Sequence, residues 1–234
     1  MQIEKLYEIF KQFPFISTDT RHIKENSIFF GLKGANFNGN TFASQALENG
    51  AAYAVVDQLE HVQDERYLLV NDVLQSLQEL ALFHRNQLTI PIVGITGTNG
   101  KTTSKELVYS VLSQQFRTYA TQGNLNNHIG VPLTLLSIDN SYEVAIVEMG
   151  ANHAGEIALL SSIARPNLGL ITNVGKAHLE GFGSFEGVKK AKGELYDFIA
   201  HNGGTLFLQG DNPYLAEMAS QRSFSKVIKY GFSE

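Results

Sequence analysis

The sequence predicts an α/β protein: a small α/β domain followed by a mainly parallel, doubly wound sheet of the phosphate-loop ATPase type. Three observations predict it. Continuous apolar runs recur at 92–95, 144–148, 168–172 and 205–208 with helical stretches between them, the pattern of parallel strands covered on both faces. The first of these runs breaks into the Gly-containing loop TGTNG and then into a helix-like stretch, KTTSKEL. Upstream of residue 84 the elements follow a different rhythm. A boundary is therefore expected near residues 84–90, giving domains 1–86 and 87–234.

Taken in order, SIFFGLKG (27–34) and AAYAVV (51–56) read as strands, and FASQALENGA (42–51) has helical spacing followed by a glycine stop. YLLV (67–70) reads as a strand. VLQSLQELALFHRNQL (73–88) reads as a helix with Leu74, Leu77, Leu80 and Leu82 on or near one face. Pro91 opens the next strand. The closing KVIKYGFSE reads as one more strand, and a doubly wound sheet stopping there is expected to be truncated.

Composition narrows the function. The 234 residues are 43% hydrophobic and 18% charged, a globular balance. The absence of cysteine excludes disulfides, thiolate metal sites and a cysteine nucleophile. A net charge of −5 argues against a broad nucleic-acid footprint but leaves room for a phosphorylated small molecule. No apolar run approaches a membrane span, and MQIEKLYEIF lacks the basic-then-apolar layout of a signal peptide. A cytoplasmic monomer with no membrane or nucleic-acid partner is expected.

The loop after Ile95 carries the first chemistry. Backbone N–H groups at a helix start, aided by the helix dipole, favour an anion. Gly97 and Gly100 let the backbone approach phosphate oxygens, so Gly97, Thr98, Asn99, Gly100, Lys101, Thr102 and Thr103 form the expected ATP-binding set. Lys101 would reach the β- and γ-phosphates and the Thr102 hydroxyl would ligate Mg²⁺. The longer consensus asks for glycine at position 95. This chain has Ile95, with Gly94 one residue early, and so carries the shorter G-x-x-G-K-T form. Read alone, a polar strand-to-helix turn that happens to contain Gly-Lys-Thr stays open.

Two acids or bases are placed by strands. Glu148 follows four apolar residues and should emerge at the carboxyl edge of the sheet, where ligands collect. LGLIT would deliver the His178 segment to the same edge, with Asn173 available to position neighbouring groups. By charge pattern Lys189, Lys190 and Lys192 read as a solvated helix face.

TGTNGKTT (96–103), VAIVEMGANHAGEI (144–157), LITNVGKAHLEGFGS (170–184) and VKKAKGELY (188–196) resemble, in order, four segments of the Mur ligase family of ATP-dependent amide-forming enzymes. The resemblance implies that Lys101, Glu148, His178 and Lys192 are catalytic, and that Lys192 is carbamylated. It also implies that Thr102, Glu148, His178 and the Lys192 carbamate hold two Mg²⁺ ions. TQGNLNNHIGVPLTLLS (121–137) is similar to the branch that joins D-alanyl-D-alanine to a UDP-N-acetylmuramoyl-tripeptide, which implies substrate contacts at Asn124, Asn126 and Asn127; His128 receives no role. Residues 17–56 resemble the family's uridine-binding domain, with Asp19, Thr20 and Arg21 implied to meet the uridine or its diphosphate. Two departures stand out: Asn38-Gly39-Asn40 where the family often has Asp-Gly-His, and Gln209-Gly210-Asp211 where it usually has Asn-x-Asp. The family reaction is ATP-dependent peptide-bond formation through an acyl phosphate. It uses a third, C-terminal domain that is absent here, so low activity of this chain alone is expected. A sister ligase adding the third peptide residue, a folate-type polyglutamate ligase and a non-catalytic nucleotide-binding module remain as alternatives.

Overall fold

The computed structural model describes residues 1–175 and 179–232. Its contacts define two compact units, one of Met1–Gln87 with Leu135–Ser137 and one of Leu88–Thr134 with the chain from Ile138 onward.

The first unit begins with α1 (Ile3–Gln12), which buries Leu6 and Phe10. Four parallel strands follow in the sheet order β1 (Ile16–Ser17), β2 (Ile28–Phe30), β5 (Tyr53–Val56), β6 (Tyr67–Leu69). Between β2 and β5 come the hairpin strands β3 (Lys33–Gly34) and β4 (Phe37–Asn38), a 3₁₀ turn and α2 (Ala43–Glu48). The expected strand at 27–34 is thus two strands. Leu32 turns out of the sheet, and its carbonyl accepts the Gly39 N–H at 2.9 Å. α3 (Val73–Gln87) buries Val73, Leu77, Leu80 and Ala81, so the expected stripe is right in direction, with Leu74 and Leu82 at its margins. Phe29, Ala43, Ala46, Leu47, Ala54, Val56 and Tyr67 form one core between sheet and helix.

Asp57, just after β5, ties this unit together. Its Oδ1 accepts from Asn40 Nδ2 at 2.9 Å and pairs with Lys33 Nζ at 2.8 Å, and its Oδ2 accepts the Val73 N–H at 3.3 Å. Burial pushes the carboxyl up, but the bonds from Lys33, Asn40 and Val73 outweigh it and leave Asp57 below the usual carboxylate range. A depressed carboxyl stabilises the fold above its unfolded value and loses that contribution as pH falls through its folded value. Asp57→Ala is expected to cost about 2–3 kcal/mol at pH 7, the scale of hydrogen bonds to a charged group, with a smaller gap at pH 3. Urea unfolding of both proteins at the two pH values checks this.

The second unit is a six-stranded parallel sheet. In chain order it contains β7 (Ile92–Thr96), α4 (Lys101–Leu112), β8 (Thr118–Ala120), α5 (Gly130–Leu136, of which Leu135 and Leu136 group with the first unit), β9 (Val144–Glu148), α6 (Glu156–Ala164), β10 (Leu168–Ile171), α7 (Leu179–Phe182), α8 (Phe185–His201), β11 (Thr205–Gln209), α9 (Pro213–Ser220) and β12 (Lys226–Tyr230). The strand order is β12-β11-β10-β7-β9-β8, all parallel, as the apolar runs predict. After β7 the chain builds one side of the sheet and then returns to build the other. The strand order therefore reverses beside β7, the position where open α/β sheets form their ligand crevice. Gly94 lies inside β7, opposite Val147 of β9 and Gly169 of β10. It is a strand residue, which accounts for the shorter loop motif.

Candidate functional site

The loop between β7 and α4 is shaped by two glycines. A Cβ on Gly97 would lie 2.0 Å from Thr172 Oγ1, and Gly100 takes φ +73° as it caps α4. Asn173 clamps the loop from the end of β10. Its Oδ1 accepts the Asn99 N–H at 3.1 Å, its Nδ2 donates to the Asn99 carbonyl at 3.1 Å, and its own carbonyl accepts the Thr98 N–H at 3.1 Å. Thr98 Oγ1 accepts the Gly175 N–H at 3.0 Å. With the Thr98 and Asn99 amides engaged, the N–H groups of Lys101, Thr102 and Thr103 in the first turn of α4 are the ones by position available to an anion. Lys101 Nζ lies over the loop, donating to the Gly97 carbonyl at 3.0 Å and the Thr98 carbonyl at 3.3 Å.

Glu148 ends β9 beside this loop, in register with Ile95. It is 1% exposed. Oε1 accepts from Asn126 Nδ2 at 2.8 Å and from Thr102 Oγ1 at 3.3 Å, whereas Oε2 is buried without a hydrogen-bond partner. A buried, half-satisfied carboxylate beside a threonine hydroxyl is an arrangement that suits a hard cation with oxygen ligands. Among the described residues no three His, Cys, Asp or Glu side chains converge. A Mg²⁺ ion that also binds substrate phosphates needs only one or two protein oxygens, so Glu148 and Thr102 fit it.

The asparagine-rich loop is fixed by its own side chains. Asn126 meets Glu148 and accepts the Gly150 N–H on its carbonyl at 2.7 Å. Asn127 Oδ1 accepts from the N–H groups of Ile129 and Gly130 at 3.1 and 2.8 Å, capping the entry to α5. Asn124, Asn126, Asn127, Lys101, Asn152 and Glu156 share the lining of one cavity of about 380 Å³. His128 lines it too, a residue for which the sequence offered no role.

Lys192 is 3% exposed, contrary to the solvated face that its charge pattern suggests. Its Nζ donates to the Ala151 carbonyl at 3.4 Å and lies 5.4 Å from the Phe182 ring centroid. Burial, and then the positive charge of Lys101, lower its pKa to about 8, while Glu156 and Glu194 act in the opposite direction. The loop it touches is anchored from two sides. Glu156 Oε2 accepts the N–H groups of Asn152 and His153 at 2.6 and 3.1 Å, and Glu194 on α8 accepts those of Gly155 and Ala158 at 2.7 and 2.8 Å. Sequence reasoning found neither glutamate, because each acts on a backbone that only the fold brings near. Lys189, whose side chain is also largely covered, pairs instead with Glu217, at 2.8 Å. His178 lies outside the described residues.

Asp19, Thr20 and Arg21 belong to the first unit. Arg21 Nε and Nη2 grip the Asp19 carboxylate, at 2.6 Å for the shortest contact, and hold it well below the usual carboxylate range. The Thr20 carbonyl accepts from Asn49 Nδ2 at 3.0 Å. Asn38 and Asn40, where the family often has aspartate and histidine, bond to each other at 2.8 Å and to Gln58 and Asp57.

With this geometry in place, the chain as a whole matches known proteins along its length. The Mur ligase middle-domain model matches residues 95–234, and the model named Mur ligase family, catalytic domain, matches residues 12–96. The chain belongs to the Mur ligase family. Its relatives include the UDP-N-acetylmuramoyl-tripeptide–D-alanyl-D-alanine ligases of Synechocystis sp. (44% identity, 92% of this chain and 48% of the relative) and Escherichia coli (42%, 86% and 44%). Among solved structures it is similar to MurF from Acinetobacter baumannii (TM-score 0.82, 35% identity, 92% of this chain and 48% of that one). It is also similar to MurF ligase from Thermotoga maritima in complex with ADP (TM-score 0.83, 31% identity, 94% and 51%). The chain spans about half the length of these relatives.

Proposed function

We propose that this chain supplies the uridine-binding and ATP-binding parts of a UDP-N-acetylmuramoyl-tripeptide–D-alanyl-D-alanine ligase, with residues 1–86 serving the UDP-sugar and residues 87–234 the nucleotide. The observation that carries the reading is the second unit's site: Lys101 and the first turn of α4, the free Glu148 Oε2, and Lys192 bonded to the carbonyl of Ala151, a residue that lines the asparagine-rich cavity. The similarity to D-alanyl-D-alanine-adding ligases in sequence and in structure supports the choice of substrates.

The reaction must bring a peptide carboxylate to the γ-phosphate, two anions. Lys101 and the α4 amides lower that repulsion by placing positive charge where the phosphate sits. Magnesium held by Glu148 and Thr102 would neutralise further phosphate charge. Attack yields an acyl phosphate and ADP, and the D-alanyl-D-alanine amine then displaces phosphate, forming the amide and releasing its proton. Lys192, with its neutral amine accessible near pH 8, suits reaction with CO₂ to a carbamate, which turns a cation into an anionic oxygen ligand. His178 joins this set by the family pattern.

Phosphate release by the full-length protein, given ATP, Mg²⁺, UDP-muramyl tripeptide and a panel of amine acceptors, tests the reading. Release that depends on D-alanyl-D-alanine is expected. With UDP-muramyl dipeptide in place of the tripeptide, release driven by a single amino acid would assign the sister activity, and no release with either peptide and any acceptor would sink the ligase reading. A second expectation concerns Lys192. A lysine with pKa near 8 is about a tenth neutral at pH 7 and about half neutral at pH 8. Recovery of CO₂-depleted enzyme on adding dissolved CO₂ should therefore run about five-fold faster at pH 8 than at pH 7. Activity indifferent to CO₂ would remove the carbamate.

A further inference from the structure

α4 faces the sheet through a stripe at Lys101, Lys105, Val108 and Leu112. Val108 and Leu112 are half-buried against Val93, Ile95, Ala120, Val144 and Ile146. The one fully buried side chain of the helix is Lys105, at 2% exposure. An ammonium taken out of water is costly, and an aliphatic chain would fill the same place without that cost. The compensation lies in what the ammonium touches. Lys105 Nζ donates to the Thr121 carbonyl at 2.6 Å and pairs with Glu106 Oε1 at 2.8 Å.

Thr121 is the hinge between β8 and the asparagine-rich loop. Its N–H donates to the Ile146 carbonyl at 3.0 Å, and its hydroxyl accepts the Glu148 N–H at 2.9 Å. At the far side of the loop's first turn, Asn126 bonds Glu148 Oε1. The loop is therefore held at two points on Glu148, and its first carbonyl is held by the helix that begins with the phosphate loop. We infer that Lys105 is a positioning residue for the ligase reaction: it pins the Thr121 end of the asparagine-rich loop to the phosphate-loop helix, so that the groups lining the substrate cavity keep a fixed register to the nucleotide site. This inference rests on the ligase reading for its kinetic consequence but not for its structural one.

Lys105→Met keeps the stem's length and removes the donor. In the full-length protein, KM for MgATP should stay within about two-fold, since the phosphate loop is clamped separately by Asn173. KM for the UDP-muramyl tripeptide should rise about ten-fold or more, the scale of a lost hydrogen bond to a charged group. The thermal midpoint should stay within a few degrees of wild type, because relief of the buried charge offsets the donor lost to the Thr121 carbonyl. Lys105→Gln, which keeps an N–H donor, should recover part of the loss. Lys105→Met added to Asn126→Ala should cost less than it does alone, as expected for two anchors of one loop. Amide exchange in the chain itself supplies a reading free of substrate: residues 121–130 should exchange at least about ten-fold faster in Lys105→Met while the second half of α4 is unchanged. Unchanged exchange in that loop would overturn the inference. So would a parallel rise in both KM values with a falling thermal midpoint, the mark of a general structural role. A wild type that exchanges as expected but makes no product would sink the ligase reading and leave the loop anchor standing.

Discussion

Lys101→Met is expected to weaken binding of MgATP by about a hundred-fold or more and to reduce turnover by a similar or larger factor, the scale of removing a preorganised charge at a reacting phosphate. The geometry says why so much should depend on one side chain. Two of the loop's amides are already bonded to Asn173, so the positive field reaching an anion comes from the first turn of α4 and from the Lys101 ammonium. That ammonium lies 3.0 Å from the Gly97 carbonyl, over the loop it serves. The fold should tolerate the change. Asn173 and Thr172 hold the Asn99 segment independently, the latter by a 2.6 Å bond from Thr172 Oγ1 to the Asn99 carbonyl. A thermal midpoint within a few degrees of wild type is therefore expected. Calorimetric titration with MgADP and a non-hydrolysable ATP analogue reads the affinity. Binding unchanged by the substitution would mean that the anion sits elsewhere and that the loop is only a turn.

Much of the sheet was legible because most of its strands are apolar runs, two of which, β7 and β9, are buried at every position. Ile92–Thr96, Val144–Glu148 and Thr205–Gln209 read as apolar runs, and each ends where a glycine or a polar residue meets the ligand edge. The same logic placed Glu148, since a carboxylate directly after four apolar residues has few places to go. The elements that escaped are short or locally ambiguous. β1 is a two-residue strand defined only by its pairing with β2, and β3 and β4 exist because Leu32 bonds Gly39 instead of continuing the sheet. The site divides in the same way. Lys101 and Thr102 carry their chemistry in local sequence. The burial of Lys192 and Lys105 does not show there, because it depends on partners forty-one and sixteen residues away, Ala151 and Thr121. The pattern that hid both lysines was the ordinary one: a cation on a helix is usually solvated. The asparagines carry a second use that local sequence does not show: Asn126 Nδ2 bonds Glu148 and Asn127 Oδ1 caps α5, so one group of each shapes the loop.

Glu148→Gln should reverse the usual order of stability and function. In wild type a carboxylate 1% exposed holds one oxygen with no hydrogen-bond partner, and no cationic side chain pairs with it among the described residues. Such a group costs folding free energy, because the charge has left water and gained only Asn126 and Thr102 on the other oxygen. The amide keeps the shape and an acceptor for both partners, and a buried unpaired amide N–H costs less than an unpaired charge. Without divalent cation the variant is therefore expected to be more stable by about 1–2 kcal/mol, a thermal shift of roughly 2–6 °C for a chain of this size. Function should move the other way. With the anionic oxygen gone, the Mg²⁺-dependent part of nucleotide affinity and the turnover should fall by about a hundred-fold, as for other lost charge-stabilising contacts. Ligand linkage then predicts a crossing. Saturating MgADP raises the wild-type midpoint by an amount that grows with its occupancy over Kd, whereas the variant gains little, so wild type becomes the more stable protein at high ligand. Melting curves of both proteins across a MgADP series, with a metal-free series in chelator, would show it. A variant less stable than wild type in chelator, or two curves that rise in parallel with MgADP, would place the metal and the stored cost somewhere other than Glu148.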